Sequence, residues 1–211
     1  MINENQQNFG FNLFRAVFRA RWPILSIALT YLLSVGVGIV MVQNGNTFAL
    51  KHRDEIVGKA NTESSIRHAA NRGDNLEAAL RDFAGNLLQG SVPTSISGFA
   101  IIFPYPMVAY QGWIGGIVSA QWNGTSRFDH VHSTIYYLVT LILQLTAYSL
   151  VIGAGINGGI SLFRPAPWYR DQRLFKLFSM EVLRDFGRLY LLATPLFLIG
   201  SLWEFLSPWN F

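Results

Sequence analysis

The sequence feature that most constrains this chain is an uncharged stretch from Ser133 to Phe163. As an α-helix it would be about 45 Å long, which exceeds the roughly 30 Å hydrocarbon core of a bilayer. A helix in a soluble core rarely extends so far without a charged residue on its solvent-facing side. The stretch therefore predicts a membrane-spanning helix, and lipid must be the medium around which the other segments are organised.

The composition of the whole chain also indicates a membrane protein. Hydrophobic residues make up 51% of the 211 residues, whereas charged residues make up only 13%. The chain has no cysteine, which excludes disulfides and thiol chemistry. A net charge of +4 could indicate nucleic-acid binding, but the basic residues flank apolar segments, where they would meet anionic lipid. We therefore predict contact with a bilayer and no nucleic-acid partner.

The first half of the chain predicts one span between two interfacial or external segments. Residues 1–21 predict an interfacial helix, because aromatic residues recur there at helical spacing and arginines occupy another face. Residues 22–43 carry no charge and predict the first transmembrane span. Residues 44–90 contain equal numbers of acidic and basic residues and predict an external linker of two or three short amphipathic helices.

Residues 91–122 are apolar but are interrupted repeatedly by proline and glycine. Pro104 and Pro106 each remove a backbone donor and disfavour helix at the residue before them. One kinked span and a hairpin of two short or re-entrant segments are both compatible with this pattern. The charge distribution favours a hairpin whose break lies at Pro104 and Pro106.

The charges of two segments that flank the predicted spans favour one topology. Residues 1–21 and 164–188 are both net positive, so both are expected in the cytoplasm. The spans at residues 133–163 and 22–43 already supply two crossings between them. The hairpin must then enter and leave on one side, and residues 189–206 form the last span. The predicted fold is an all-α polytopic membrane bundle in a bacterial cytoplasmic (inner) membrane, with its amino terminus in the cytoplasm.

Several residues are predicted to make contacts between helices or with partners. Small residues and one glutamine inside the apolar segments suit close helix packing or contact with a partner span: Gly36, Gly38, Gly112, Gly115, Gly116, Gln144, Gly153, Gly155 and Gly159. The basic segment predicts an amphipathic helix from Gln172 that could dock on lipid or on a cytoplasmic partner. Its candidate docking residues are Arg173, Lys176, Phe178 and Arg184. No catalytic residue, metal ligand or cofactor is predicted.

Three stretches are similar to segments of one known family. LQLTAYSLVIGAGINGG (143–159), LYLLATPLFLIGSLWEFLSP (189–208) and YQGWIGG (110–116) resemble stretches of stage II sporulation protein M. Gln144 stands where that family has a glutamate, and Gln111 stands where it has asparagine. The resemblance implies a multi-span envelope protein that acts by recruiting partners, which in spore formers are peptidoglycan-remodelling enzymes.

Two functions follow as hypotheses. The first is a non-enzymatic membrane scaffold or partner-recruiting subunit of an envelope complex, since no nucleophile–base pair, phosphate loop or metal cluster is present in the sequence. The second is the transmembrane permease subunit of an ABC-type transporter, whose cytoplasmic helix would dock a separate ATPase. The second rests on fold-level analogy alone.

Overall fold

A computed structural model describes the backbone of residues 4–120, 130–163, 173–174 and 178–208, and the side chains of residues 10–59, 64–120, 130–163 and 180–208. Eight α-helices are present in this part of the chain: α1 (Glu4–Gln43), α2 (Thr47–Glu63), α3 (Ser65–Asn71), α4 (Asn75–Ala84), α5 (Val92–Ser97), α6 (Pro104–Ser119), α7 (Val131–Phe163) and α8 (Met180–Leu206). The predicted all-α membrane bundle is confirmed. Three helical segments are long and apolar enough to cross a membrane: Gly10–Gln43, Val131–Phe163 and Met180–Leu206.

The first long helix, α1, is continuous through Pro23. Its 40 residues correspond to about 60 Å. Pro23 costs the helix one backbone hydrogen bond, and the carbonyl oxygen of Pro23 accepts a hydrogen bond from Ser26 Oγ at 2.8 Å. The segments predicted as an interfacial helix and a first span are therefore parts of one helix, without a break near residue 22.

Three helices follow α1, and side chains cap their amino-terminal ends. Asn46, Ser64 and Asp74 each accept a hydrogen bond from a backbone N–H in the first turn of α2, α3 and α4 respectively. The helical path that begins with α4 passes residue 90, where the predicted linker ends. After α4 it continues through a π-helical turn (Gly85–Ser91), α5 and a 3₁₀ turn (Gly98–Ala100). We call the whole helical path Asn75–Ala100 the entry arm.

The entry arm runs antiparallel to α8. Asp82 meets Ser201 near the carboxyl end of α8, whereas Phe99 stacks on Phe186 near its amino end. The following helix, α6, returns parallel to α1, because Tyr105 contacts Ser26 through their hydroxyls and Gly116 lies against Val35 further along. The hairpin made by the entry arm and α6 thus enters and leaves the bundle at the same end.

We name the two ends of the bundle by their residues. The Arg19 end contains Arg19, the hairpin turn at residues 101–103 and the start of α8 at Met180. The Glu204 end contains the carboxyl ends of α1 and α6 and the start of α7, where the Tyr136 hydroxyl donates to the backbone carbonyl of Glu204 at 2.6 Å. The amino-terminal half of α1 and the start of α8 therefore share one end.

The hairpin turn has a strained residue at its centre. Ile101 has φ 61° and ψ −56°, which is unfavourable for a β-branched side chain. The N–H of Ile102 donates to the carbonyl of Ala100 at 2.6 Å, so residues 100–102 form a γ-turn of the rare, strained type. Pro104 starts α6 immediately afterwards, where a helix leaves N–H groups unpaired in any case.

This strain predicts an inverted ranking of two substitutions. Inside a helix or strand, a protein with glycine is less stable than one with alanine by roughly 0.5–1 kcal/mol, because glycine makes the unfolded chain more flexible. At Ile101 both variants lose the same side-chain packing, but only glycine relieves the positive φ. We expect Ile101→Gly to be more stable than Ile101→Ala by about 1 kcal/mol, as measured by SDS titration in mild detergent. The usual ranking at this site would contradict the strained turn.

The segment before α8 differs from its prediction. Arg173–Leu174 and Phe178–Ser179 are two short antiparallel strands, in which Arg173 pairs with Ser179 and Leu174 with Phe178. The prediction of an amphipathic helix beginning at Gln172 is therefore wrong for these residues. Backbone groups that a helix would satisfy internally are satisfied here across the strand pair. The helix begins only at Met180, with Glu181 in its first turn, where the helix dipole favours an anion.

Candidate functional site

A cluster of four charged side chains joins α1 to α8 at the Arg19 end. Arg19 Nε donates to Asp185 Oδ2 at 2.6 Å, and Arg19 Nη2 donates to Glu181 Oε1 at 3.1 Å and to the other Asp185 oxygen. Arg188 Nη1 donates to Glu181 Oε1 at 2.7 Å and to Asp185 Oδ1 at 2.8 Å. These four side chains are two cations and two anions, and the exposed Arg184 lies 3.6 Å from Glu181 at their edge.

The burial of Asp185 indicates that the cluster stabilises the packing of α1 on α8. Its side chain is only 2% exposed, and an isolated carboxylate at that depth would be strongly destabilising. The fork of Arg19 binds both oxygens of Asp185, which is the strongest geometry for an arginine–carboxylate pair. The cluster therefore holds α1 and α8 in one register at this end.

Glycines allow α6 to pack directly on the backbone of α1. A Cβ atom at Gly38 would lie 2.5 Å from the Trp113 carbonyl oxygen, and one at Gly112 would lie 2.6 Å from the Tyr31 carbonyl oxygen. A Cβ at Gly116 would lie closer still to the Val35 carbonyl oxygen, and one at Gly115 would lie 3.0 Å from the Tyr31 hydroxyl oxygen. Such close approach of two backbones is possible only with very small side chains.

A second set of glycines, on α7, receives the entry arm and α1. Gly155 lies against the carbonyl oxygen of Ser95, and Gly159 lies against that of Phe99. On the neighbouring face, a Cβ at Gly153 would lie 2.6 Å from Ile24 Cγ1. The predicted packing glycines on α6 and α7 are thus in contact with helices of this same chain.

Gly36 differs from the other glycines predicted for packing. No atom would lie within 4 Å of a Cβ placed there, and the residue is exposed on the outer face of α1. Of the two hairpin prolines, Pro104 is buried and Pro106 is exposed.

Among the predicted docking residues, Arg184 lies on α8. Its side chain is 63% exposed and lies 3.6 Å from Glu181. Lys176 and the side chains of Arg173 and Phe178 lie outside the described residues.

A crevice opens between α6 and α7, with α1 at its base. Both helices pack on α1 more extensively than on each other. The resulting cavity has a volume of about 180 Å³. Its lining combines four polar residues with five aliphatic ones: Tyr31, Gln111, Gln144, Tyr148, Ile27, Val108, Leu141, Leu145 and Ile152.

The polar residues on the α7 side of the crevice are held by carboxylates and amides behind them. Gln144 Nε2 donates to Glu204 Oε2 at 3.0 Å. The Tyr148 hydroxyl donates to Asn86 Oδ1 at 2.9 Å. Asn86 in turn donates from Nδ2 to Asp82 Oδ2 at 2.8 Å. These bonds fix which polar atoms of α7 remain available to the crevice.

Asp82 completes this network from the entry arm. Ser201 Oγ on α8 donates to Asp82 Oδ2 at 2.7 Å. Asp82 belongs to the segment predicted as an external linker, but here its carboxylate lies against a fully buried serine of α8. Sequence reasoning missed this position because the surrounding charges Glu77 and Arg81 are typical of a solvent-exposed helix.

The other polar residues of the crevice, on α1 and α6, have no such support. Tyr31 OH and the Gln111 amide form no hydrogen bond with any other described residue. The sequence predicts Gln144 as a residue for helix packing or partner contact, and Gln111 enters only through the family resemblance. The crevice itself could not be found by spacing along one helix, because its polar residues come from three helices.

The fold and this site define an all-α, polytopic membrane bundle with a polar crevice between helices. Comparison of the chain with protein-family models, curated proteins and solved structures gives no match.

Proposed function

We propose that this protein is a non-enzymatic, multi-pass subunit that recruits partner proteins in a bacterial cytoplasmic membrane, with its amino terminus in the cytoplasm. The resemblance to stage II sporulation protein M supports the same role. In this proposal the ion cluster and the internal glycine contacts make a rigid platform, and an exposed face of α1 receives a partner span.

The observation that carries the proposal is the uncovered glycine surface at Gly36, which we call the notch. Large apolar side chains are exposed on the same outer surface of α1, and they flank the glycine along the helix: Leu29, Leu33, Val37 and Val40. The other packing glycines of α1, α6 and α7 are in contact with helices of this chain, whereas the notch at Gly36 is open. A second helix can approach closely at such a notch, and van der Waals contact then stabilises the pair in lipid.

We expect Gly36→Leu to leave the fold intact and to reduce co-purification of membrane partners at least about tenfold, since loss of close packing worth about 1.4 kcal/mol corresponds to that factor. The measurement is quantitative mass spectrometry of complexes isolated from the native membrane in mild detergent. Gly10→Leu is the matched control, because Gly10 is also exposed on α1 with nothing within 4 Å. Equal recovery of partners with both variants would contradict a partner site at Gly36.

The alternative function is the permease subunit of an ABC-type transporter. The exposed Arg184 favours it, because this residue lies at the end shared by the hairpin turn and the starts of α1 and α8. A stoichiometric ATPase in the same complexes, lost on Arg184→Glu but retained in Gly36→Leu, would support this alternative over the scaffold.

A further inference from the structure

Two polar groups in the crevice lack the partners that a membrane interior demands. The Tyr31 hydroxyl and the Gln111 amide line the cavity without a hydrogen bond to any described residue. A polar group facing hydrocarbon without a partner costs several kcal/mol, because lipid cannot replace the lost hydrogen bond. Both groups therefore indicate a polar occupant of the crevice.

We infer that the crevice binds an uncharged, membrane-soluble molecule whose head is a small hydroxylated ring. This site would exist whether or not the chain recruits partner proteins.

The hydrogen-bonding pattern defines the head of the ligand. On the α7 side, Gln144 uses one of its two N–H groups in a bond to Glu204, and Tyr148 uses its O–H in a bond to Asn86. The carbonyl oxygen of Gln144 and the phenolic oxygen of Tyr148 remain as acceptors. On the opposite side, the Tyr31 hydroxyl and the Gln111 amide are free to donate. A ring hydroxyl matches both walls, since it donates through its proton and accepts through its oxygen.

The lining offers no charged group that could pair with an ionic head. None of the nine residues around the cavity is charged. Behind the wall lie the carboxylates of Glu204 and Asp82, reached through Gln144 and through Asn86. These carboxylates would repel a phosphate, and no arginine or lysine lines the cavity to bind one. An anionic lipid headgroup is therefore a poor fit.

The size of the cavity fits a single ring. Its volume of about 180 Å³ is slightly above that of an engineered cavity of about 150 Å³ that binds benzene. Aliphatic side chains such as Leu141, Leu145 and Ile152 supply the apolar walls. Because the crevice opens between α6 and α7, an alkyl tail on the ring could extend out of it among the lipid chains.

The test uses the full-length protein in phosphatidylcholine nanodiscs. The probe is 4-hexylphenol carrying a diazirine on its alkyl chain, and the labelled peptides are mapped by mass spectrometry after irradiation. We expect labels on the crevice-lining parts of α1, α6 and α7. Unlabelled 4-hexylphenol should compete about tenfold better than hexylbenzene at equal membrane concentration, since only the phenol forms hydrogen bonds with the crevice.

The variant Tyr31→Phe/Gln111→Leu removes the donors on α1 and α6 while it keeps the size of the crevice. Labelling that 4-hexylphenol can displace should fall about tenfold. The variant should remain folded, because neither side chain loses a hydrogen bond to a described residue. Tyr110→Phe is the matched control, since Tyr110 is an exposed neighbour on α6 that contacts His52 and does not line the cavity.

Two outcomes would overturn the site. One is equal competition by hexylbenzene and 4-hexylphenol, which would mean that the crevice takes up any apolar molecule. The other is undiminished labelling of the crevice in the double variant, which would mean that Tyr31 and Gln111 bind no head group.

Discussion

Gly155→Val should detach the hairpin from α7 and lower the free energy of unfolding by about 3 kcal/mol or more. The added side chain would meet the carbonyl oxygen of Ser95. A backbone oxygen cannot move aside like the end of a flexible side chain, so the whole entry arm would have to shift. The Cα of Gly98 also lies at this contact, and its carbonyl accepts a hydrogen bond from the Ile101 N–H, so the hairpin turn would move with the arm. SDS titration of the purified protein in mild detergent measures the loss.

A matched glycine on another helix serves as the control for Gly155→Val. Gly187 lies inside α8, and a Cβ added there would have nothing within 4 Å, so Gly187→Val changes helix propensity without creating a clash. Valine forms helix more readily than glycine, and this variant should be neutral or slightly more stable. If both variants unfold at the same SDS concentration, the entry arm does not pack on α7 as described.

Arg19→Met should destabilise the protein by about 3–5 kcal/mol, which is the usual effect of removing one member of a buried ion pair. Asp185 would keep the bond from Arg188 but lose both bonds from Arg19. Arg188 would then be the one described cation still bonded to the buried Asp185 carboxylate. The same SDS titration gives the magnitude.

Two further variants separate this effect from a general loss of arginine. Arg15→Met is the matched control on the same helix, because Arg15 is exposed and lies over the Phe11 ring; its change should be within about 0.5 kcal/mol. The double variant Arg19→Met/Asp185→Leu should regain most of the lost stability, since no unpaired carboxylate remains. A double variant as unstable as Arg19→Met alone would exclude the ion pair as the cause.

The membrane character of the fold could be predicted from composition and from apolar run length. The uncharged stretch at Ser133–Phe163 is long enough to span a bilayer whatever it packs against, and the structure contains α7 over nearly the same residues. Glycines within apolar segments also carry local information, because few other residues permit backbone contact. The confirmed all-α bundle follows from these features alone.

The partners of charged residues could not be predicted in the same way. Asp82 and Ser201 are 119 positions apart, and Arg19 and Asp185 are 166 apart. Nothing in the local sequence around Asp82 distinguishes a charge that meets water from one that meets a buried serine. For the same reason the sequence of α4 predicts part of an external linker, although α4 begins the entry arm.

The strand pair before α8 illustrates a second limit of prediction from the sequence. Leu174, Phe178 and Val182 recur at helical spacing, yet the first two are in strands and only the third is in a helix. A short apolar periodicity fits either structure when its flanking residues do not decide between them. Hydrogen bonding between the two strands, which periodicity does not report, decides the outcome here.

The contact of the hairpin turn with α7 also sets an order for assembly. Ile101 and Phe99 pack on Gly159, which the ribosome adds much later in the chain. At roughly 5–20 residues per second, the hairpin must wait on the order of three to ten seconds for the surface that receives it. During that interval α6 can already pack on α1, but the face of the entry arm that meets α7 has no partner within this chain. Lipid or the insertion machinery must therefore accommodate that face until translation reaches α7.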